Sequence, residues 1–310
     1  MTEILAAREV PLGGLRAMNV RRTLPQRQRS LIGAWCFLDH YGPDRVDESG
    51  GMVVSPHPHT GLQTVSWLFG GTIEHRDSIG SHALVRPGEL NLMTAGRGIS
   101  HSEVSTDEAT VLHGVQLWVA LPGAYRDAEP AFRHYVPPVV HGPGWDAQVF
   151  LGSLLGSDSP VETFSPLVGA ELILDGGTSL SPEANPIFEY GVLVDFGTIH
   201  VNGTEVTQNQ LAYVATGEPL EIVADDLAHL LLIGGRPLGE EIVMWWNFVG
   251  RDHTEIEEAR ADWMAQISDN TGMLQDSSEI YDGRFGIVAG DHLPPVPAPA
   301  LPNARLKPRR

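Results

Sequence analysis

Strand-length apolar runs alternate with turns through the first 140 residues. TVSWLFGG, ELNLMTAG and VLHGVQLWVAL are rich in Val, Trp, Leu and Phe, and Gly or Pro bounds them. That pattern predicts short strands. A Pro- and Gly-rich stretch, YVPPVVHGPGW (135–145), reads as a linker. A second series follows: AQVFLGSLLG, AELILDGG, EYGVLVDFG, QLAYVATG and LAHLLLIGG. Nearly every run ends in Gly, so the all-β rhythm is given twice. One helix is predicted late in the chain. Thr254 and Glu257 form a capping box, and Ile256, Ala259, Trp263, Met264 and Ile267 fall on one face. Trp245 and Trp246, with this helix, are expected to pack on a barrel. The tail DHLPPVPAPALPNARLKPRR reads as an extended arm over the surface or as disordered chain.

The two series resemble each other. Gly71-Thr72-Ile73 aligns with Gly197-Thr198-Ile199, and LNLMTAG (90–96) with LAYVATG (211–217). Carried backwards, the first match sets SPHPHT (55–60) over SPEANP (181–186). The chain therefore reads as a duplicated β-barrel unit, with residues 1–140 and 141–310 as the two domains. The second domain also carries the helix and the Pro-rich tail.

Composition narrows the function classes. The chain has 310 residues, 34 Gly, 23 Pro and a net charge of −19. A field of that sign repels phosphate backbones, which argues against direct nucleic-acid binding. No window of about 18 uninterrupted apolar residues predicts a membrane span. The start, MTEILAAREVPLGG, lacks the pattern of a secretory signal. The single cysteine, Cys36, excludes an internal disulfide and reads as a buried, inert thiol. A cytoplasmic location is the expectation.

Candidate chemistry sits in two short pairs. SPHPHT holds His57 and His59, and GISHSEVS holds His101 and Glu103. Side chains at i and i+2 of a strand share a face. Two such strands side by side in a small barrel aim three imidazoles and one carboxylate inward. That donor set suits Fe(II), Mn(II), Ni(II), Cu(II) or Zn(II) and is less soft than a thiolate site. Four protein ligands leave one or two positions open, the mark of a catalytic centre. The duplication places Glu183 and Asn185 under His57 and His59, and Ile222 and Ala224 under His101 and Glu103. The second half is thus expected to hold no metal.

The segments HPHTGLQTVSWLFGGTIEHRDSIG, RPGELNLMTAGRGISHSE and HGVQLWVALP resemble the pirin family of the cupin superfamily. The resemblance spans roughly residues 15 to 122, and the second barrel is recognisable mainly by position. It implies an all-β bicupin fold: two tandem double-stranded β-helix domains with a few short helices. It implies a single iron at the positions of His57, His59, His101 and Glu103. Several members open the ring of the flavonol quercetin with dioxygen, and another branch is known as nuclear, redox-sensitive regulators of transcription. The expected cofactor is Fe(II), with Ni, Cu, Mn or Zn compatible with the same donors. The expected reaction is oxygenation of a small phenolic or enediol substrate, Glu103 holding the metal and relaying a proton. The rival is a metal-dependent, redox-sensing protein that engages a protein partner without turnover. Another metal-assisted reaction, such as isomerisation of a small sugar or acid, is a third reading. The family often carries a glutamate where this chain has Gln63. Four residues after His59, Gln63 is expected on the same face, and glutamine cannot take a substrate proton. Glu103 or water would then take it.

Other residues have plainer readings. His75 reads as a rim histidine bonded to Asp77 or a carbonyl, with a place behind the ligands as the alternative. His82 and His113 read as structural, and Arg97, between Gly96 and Gly98, as part of a turn. Trp67, Phe69, Leu92, Met93 and Trp118 are expected in the core, one or two of them lining a pocket for a flat ring.

Overall fold

The computed structural model describes residues 2–12, 18–106, 108–270 and 283–310. Two barrels are built to one plan. In the first, a seven-stranded sheet runs Ala131–Tyr135, Leu90–Thr94, Leu62–Gly70, Val111–Ala120, Trp35–Arg45, Asn19–Leu24, Arg8–Pro11. A four-stranded sheet runs Val53–His59, Ile99–Ser105, Ile73–Asp77, His82–Val85. The second barrel repeats both orders. Its seven strands are Glu3–Ala6, Gln210–Val214, Glu189–Phe196, Ala228–Gly235, Leu167–Leu174, Trp145–Leu151 and Val139–Gly142. Its four are Ser179–Leu180, Ile222–Ala224, Thr198–Val201 and Thr204–Thr207. The duplication read from three short matches is an architectural repeat.

The strand ladders also fix its register. His113 lies opposite Gly70 and His229 opposite Phe196, and Ile73 and Ile199 face Ser105 and Ala224. Thr64 faces Met93 as Tyr190 faces Val214, which agrees with the match of LNLMTAG to LAYVATG. Val54 faces Glu103 as Leu180 faces Ile222. His57 and His59 therefore correspond to Glu183 and Asn185, as the sequence alignment has them. Glu103 corresponds to Ile222 rather than Ala224, because the second barrel is two residues shorter before that strand. At the His101 and Glu103 positions the second barrel has apolar Leu220 and Ile222, and at the His57 and His59 positions it has Glu183 and Asn185. The second barrel's interior is filled by Val149, Leu172, Val192, Val194, Ile199, Leu220, Ile222 and their neighbours.

The two seven-stranded sheets pack back to back. Trp35, Leu38, Val65, Trp67, Val115 and Leu117 from the first meet Phe150, Leu193, Leu231 and Ile233 from the second. Both faces of the central strands are thus covered, and they read as continuous apolar runs for that reason. Each large apolar side chain buried there contributes about 1.5–3 kcal/mol. Cys36 is buried, and burial pushes its thiol up to about 12, which makes it inert.

Two local expectations are corrected. The stretch 135–145 is not a free linker: Val139–Gly142 pairs with Trp145–Leu151 as an edge hairpin of the second sheet. The late helix, His253–Asn270, is capped by Asp252, whose Oδ1 accepts from Thr254 N (2.8 Å) and Glu255 N (3.1 Å). Glu255 reaches back to Arg251 N (2.9 Å), so the capping starts two residues before the predicted box. The predicted face holds: Ile256, Ala259 and Trp263 are buried against Val243, Phe248 and Phe285.

Both chain ends cross between barrels. Strand Glu3–Ala6 completes the second barrel's sheet by pairing with Gln210–Val214. The hairpin Val243–Gly250 and the tail return to the first barrel. Val249 N donates to Thr60 O (3.0 Å) and Val296 N to Pro56 O (2.8 Å), so the tail is an ordered arm. Gly61 permits this contact. Its φ is +68°, and a Cβ there would stand 2.2 Å from Val249 O.

A polar clamp interrupts the apolar seam between barrels. Asp195 Oδ1 accepts from His40 Nε2 (2.8 Å) and His113 Nε2 (2.7 Å). His229 lies between Asp195 Oδ2 (2.8 Å, Nδ1) and Glu171 Oε1 (2.6 Å, Nε2), and Trp67 Nε1 donates to Glu171 Oε2 (2.6 Å). Both ring nitrogens of His229 face carboxylates, so it is an imidazolium. Burial alone would lower it, but Asp195 and Glu171 outweigh burial and raise it to about 9. His40, His113 and Asp195 have the composition of a metal site. However, the Arg21 guanidinium lies 3.5 Å from both ring nitrogens of His40, and His40 Nε2, His113 Nε2 and both Asp195 oxygens are already paired. The cluster is a clamp. The stabilisation that His229 contributes is fully present below pH 6.5 and is lost as pH rises through about 9. The expected loss is on the order of 1–3 kcal/mol, read as a falling Tm across that window. His229→Gln is expected to flatten that slope, and an equal slope in the variant would refute the assignment.

Candidate metal centre

The first barrel's site starts from one pairing. His57 lies directly opposite His101, and His59 opposite Ile99, on antiparallel strands Val53–His59 and Ile99–Ser105. Ring centroids stand 4.9 Å apart for His57 and His59, 4.4 Å for His57 and His101, and 5.0 Å for His59 and His101. One donor atom from each of the three lies within 4.8 Å of the others. Glu103 belongs to a second, overlapping group with His101 and His75. All four sequence-predicted residues are buried: His57 at 7%, His59 and His101 at 1%, Glu103 at 5% exposure.

Outer hydrogen bonds set which nitrogen faces inward. His57 Nδ1 lies 2.9 Å from Ser55 O, and His59 Nδ1 lies 3.1 Å from Asn247 O. Each carbonyl takes an Nδ1–H and leaves Nε2 with its lone pair. His101 Nδ1 lies 3.4 Å from His75 Nδ1, and His75 Nε2 lies 3.3 Å from Asp77 Oδ2. His75 is therefore bonded to Asp77, as the plainer reading has it, and also stands behind His101. Asp77 is fixed in turn by Ile79 N (3.2 Å) and Ser81 N (2.8 Å).

The donors fit a divalent ion. His59 Nε2 and His101 Nε2 stand 3.1 Å apart. Adjacent ligands held about 2.1 Å from one ion at a right angle would be about 3.0 Å apart. Burial has already removed the competing protons from the imidazoles. It pushes His57 down to about 4 and holds His59 and His101 well below the usual imidazole range, with neighbouring histidines adding to the effect for the latter two. Glu103 is raised by burial, which the His75 charge and Ser66 only partly offset. A buried carboxyl of this kind gains from a cation beside it. The Ser66 hydroxyl donates to Glu103 Oε1 (2.7 Å) and leaves Oε2 open. The side-chain amide of Gln116 lies 2.9 Å from the same hydroxyl.

The centre opens into a cavity of about 350 Å³. Along Trp35–Arg45, Phe37, Asp39 and Tyr41 face this cavity, while Leu38 and His40 face the other barrel. Phe37 stacks on Trp118 (4.1 Å), and Trp118 stands edge-on to His59 (5.2 Å). The Arg22 guanidinium lies 4.4 Å over the Phe37 ring and forks onto both Asp39 oxygens at 2.7 Å. Trp245, Trp246 and Asn247 close the far side from the C-terminal hairpin.

The expected place of Gln63 is corrected. It is buried beside Val65 and Trp67 on the inter-barrel face, its Nε2 donating to Thr94 Oγ1 (2.9 Å). Gly61 turns the chain after His59, so a four-residue spacing does not keep one face. His113 also points between barrels, and Trp67 and Leu92 are core. Trp118 is the predicted aromatic that lines the cavity. Arg97 pairs with Glu129 at the surface, and His82 with Glu74 (2.6 Å). Ser66, Gln116 and the Asn247 carbonyl were not legible. Ser66 had one signal, a polar residue alternating with Val65 and Trp67.

Comparison with known proteins agrees with this picture. The Pirin family profile matches residues 16–119, and that of the Pirin C-terminal cupin domain matches residues 169–267. A Pseudomonas aeruginosa protein provisionally named quercetin 2,3-dioxygenase is 41% identical over 304 residues, 96% of this chain and 90% of that protein. A pirin-like protein of Caulobacter vibrioides is 36% identical over 84% of this chain and 92% of its own length. The crystal structure of a quercetin 2,3-dioxygenase from Acinetobacter baumannii superposes with a TM-score of 0.88 at 41% identity, covering 98% of this chain and 96% of that one.

Elemental analysis is expected to find one divalent ion per chain and near none in His101→Ala. Ser66→Ala is expected to keep one ion at saturation but to weaken affinity about 10–100-fold, measured by competition with a chelating dye. Full metal retention by His101→Ala would refute the assignment.

Proposed function

The chain belongs to the pirin family, and from that premise we propose a metal-dependent dioxygenase acting on a small phenolic or enediol substrate. The observation that carries this reading is the convergence of three buried imidazoles on a cavity walled by stacked aromatic rings. The names of the Pseudomonas and Acinetobacter relatives make quercetin the first substrate to test. We assign the metal to His57, His59, His101 and Glu103, with Fe(II) first and Ni, Cu, Mn or Zn suited to the same donors.

The bound ion supplies Lewis acidity toward a substrate hydroxyl and the capacity to bring O₂ into reaction. The protein's own residues do the rest. The stacked Phe37–Trp118 pair walls one side of the cavity beside His59, a slot for a flat ring. The Asn247 carbonyl holds the His59 ring by Nδ1, so the C-terminal hairpin orients a ligand as well as closing the cavity. Ser66 fixes one Glu103 oxygen and leaves Oε2 as the atom for the ion or for the proton leaving the substrate hydroxyl. Arg22 is spent on Asp39 and gives the slot a rigid wall, not a free charge. The four proposed ligands are buried, which strengthens each of these contacts. We place the protein in the cytoplasm, in keeping with its one buried thiol. Among the described residues, no helix is long and apolar enough to cross a membrane.

Metal-loaded protein under O₂ is expected to consume quercetin and release carbon monoxide, and His101→Ala to lose this activity at least 100-fold. Intact quercetin after prolonged incubation with stoichiometric iron or nickel would remove the quercetin version. Redox-dependent capture of a protein partner without turnover would favour the regulatory rival.

A further inference from the structure

The cavity wall contains one polar group that the protein leaves unused. Tyr41, on strand Trp35–Arg45, is 1% exposed, and among the described residues no group pairs with its Oη. Buried hydroxyls without a partner are uncommon, because losing water without a replacement is costly. Tyr41 lines the same cavity as the three histidines and Glu103. Its neighbours there, Val20, Met52 and Val54, are apolar and offer no oxygen or nitrogen side-chain acceptor. The nearby acids are engaged elsewhere. Asp39 holds Arg22 with both oxygens, and Glu103 holds Ser66 with Oε1. With Glu103 Oε2 assigned to the proposed metal, no described residue supplies an acceptor for this O–H, and a ligand in the cavity is left to supply it.

We infer that Tyr41 is a substrate-binding residue whose Oη–H donates a hydrogen bond to an anionic ring oxygen, a phenolate or enediolate, held in the cavity. This deepens the proposed function and rests on its claim that the cavity receives ring hydroxyls. It is a statement about specificity. A buried donor rejects analogues that lack its acceptor, because the donor is then stranded. Burial, together with the charges of Glu103 and Asp39, raises the phenol well above its usual range, so Tyr41 stays protonated as a donor throughout neutral pH.

The test uses 4-nitrocatechol, a chromophoric ring with two hydroxyls, titrated into full-length metal-loaded protein and into Tyr41→Phe. Metal content is matched by elemental analysis. The variant is expected to bind about 10-fold more weakly, the loss of one hydrogen bond to a charged oxygen. Its Tm is expected at or above that of the parent, since the substitution removes an unpaired buried atom and keeps the ring. Affinity equal within twofold would overturn the inference, as would no binding by the parent protein. A variant that melts well below the parent would also overturn it, because Oη would then be making a structural bond. Quercetin consumption is measured separately. Tyr41-dependent binding of 4-nitrocatechol with quercetin left intact would sink the quercetin reading and leave the assignment of Tyr41 standing.

Discussion

The pairing of His57 with His101 across one antiparallel ladder is the constraint on which the molecule's chemistry depends. Side chains alternate on a strand, so a one-residue slip would turn His57 and His59 outward and bring Pro56 and Pro58 in. The prolines help to hold the register. Val53–His59 is the edge of its sheet, the one place where a strand tolerates proline. Pro56 O then accepts from Val296 N of the tail. An edge that would be open to pairing with another chain is thus capped by the chain's own last segment. The same segment leads into the side of the cavity that Trp245, Trp246 and Asn247 close.

The second barrel shows what the first gave up to become a site. Both have the same strand order, and corresponding strands pair in the same way although the second barrel is shorter between them. One interior is filled with Val, Leu and Ile, and the other carries three buried histidines and a buried glutamate. Buried polar groups cost free energy unless each finds a partner. The first barrel meets that cost through support from outside its ladder: the Asn247 carbonyl, the His75–Asp77 pair and Ser66. The apolar barrel braces the polar one across the seam of Trp67, Phe150, Leu231 and their neighbours. Inside that seam, the Glu171–His229–Asp195 clamp adds direction to a contact that apolar packing alone would leave free to slide.

Periodicity and spacing made much of this legible. The strands around Trp67, Leu92 and Trp118 and their duplication followed from runs bounded by glycine. The face of the late helix followed from its apolar spacing. The four proposed ligands followed from two i, i+2 pairs joined by a family resemblance. What escaped has common physical causes. Gln63 was misplaced because a left-handed turn at Gly61 resets the strand's phase, which a residue count cannot register. The Asn247 contribution is a backbone carbonyl 188 positions from His59, and a carbonyl has no identity in the sequence. Ser66 looks like the solvent face of an alternating strand, yet both faces of that strand are buried. The capping box was displaced because Asp252 accepts from two backbone donors before Thr254 has any to serve.

The three arrangements of histidine in this chain show why composition alone does not define a metal centre. His40 and His113 meet one carboxylate oxygen at ordinary hydrogen-bond distance, with a guanidinium against His40. An added cation there would face Arg21 and would have to displace protons already shared with Asp195. His229 is flanked by two acids and holds its proton more tightly than free imidazole does. At His57, His59 and His101, burial disfavours the charged form, and carbonyls and His75 lie against the outer nitrogens. Two Nε2 atoms point at each other across 3.1 Å. Two imidazole lone pairs held that close repel unless something positive lies between them, and a carboxylate that burial disfavours stands alongside. Only this third arrangement is made more stable by a divalent ion. For that reason the proposed metal is assigned to the first barrel.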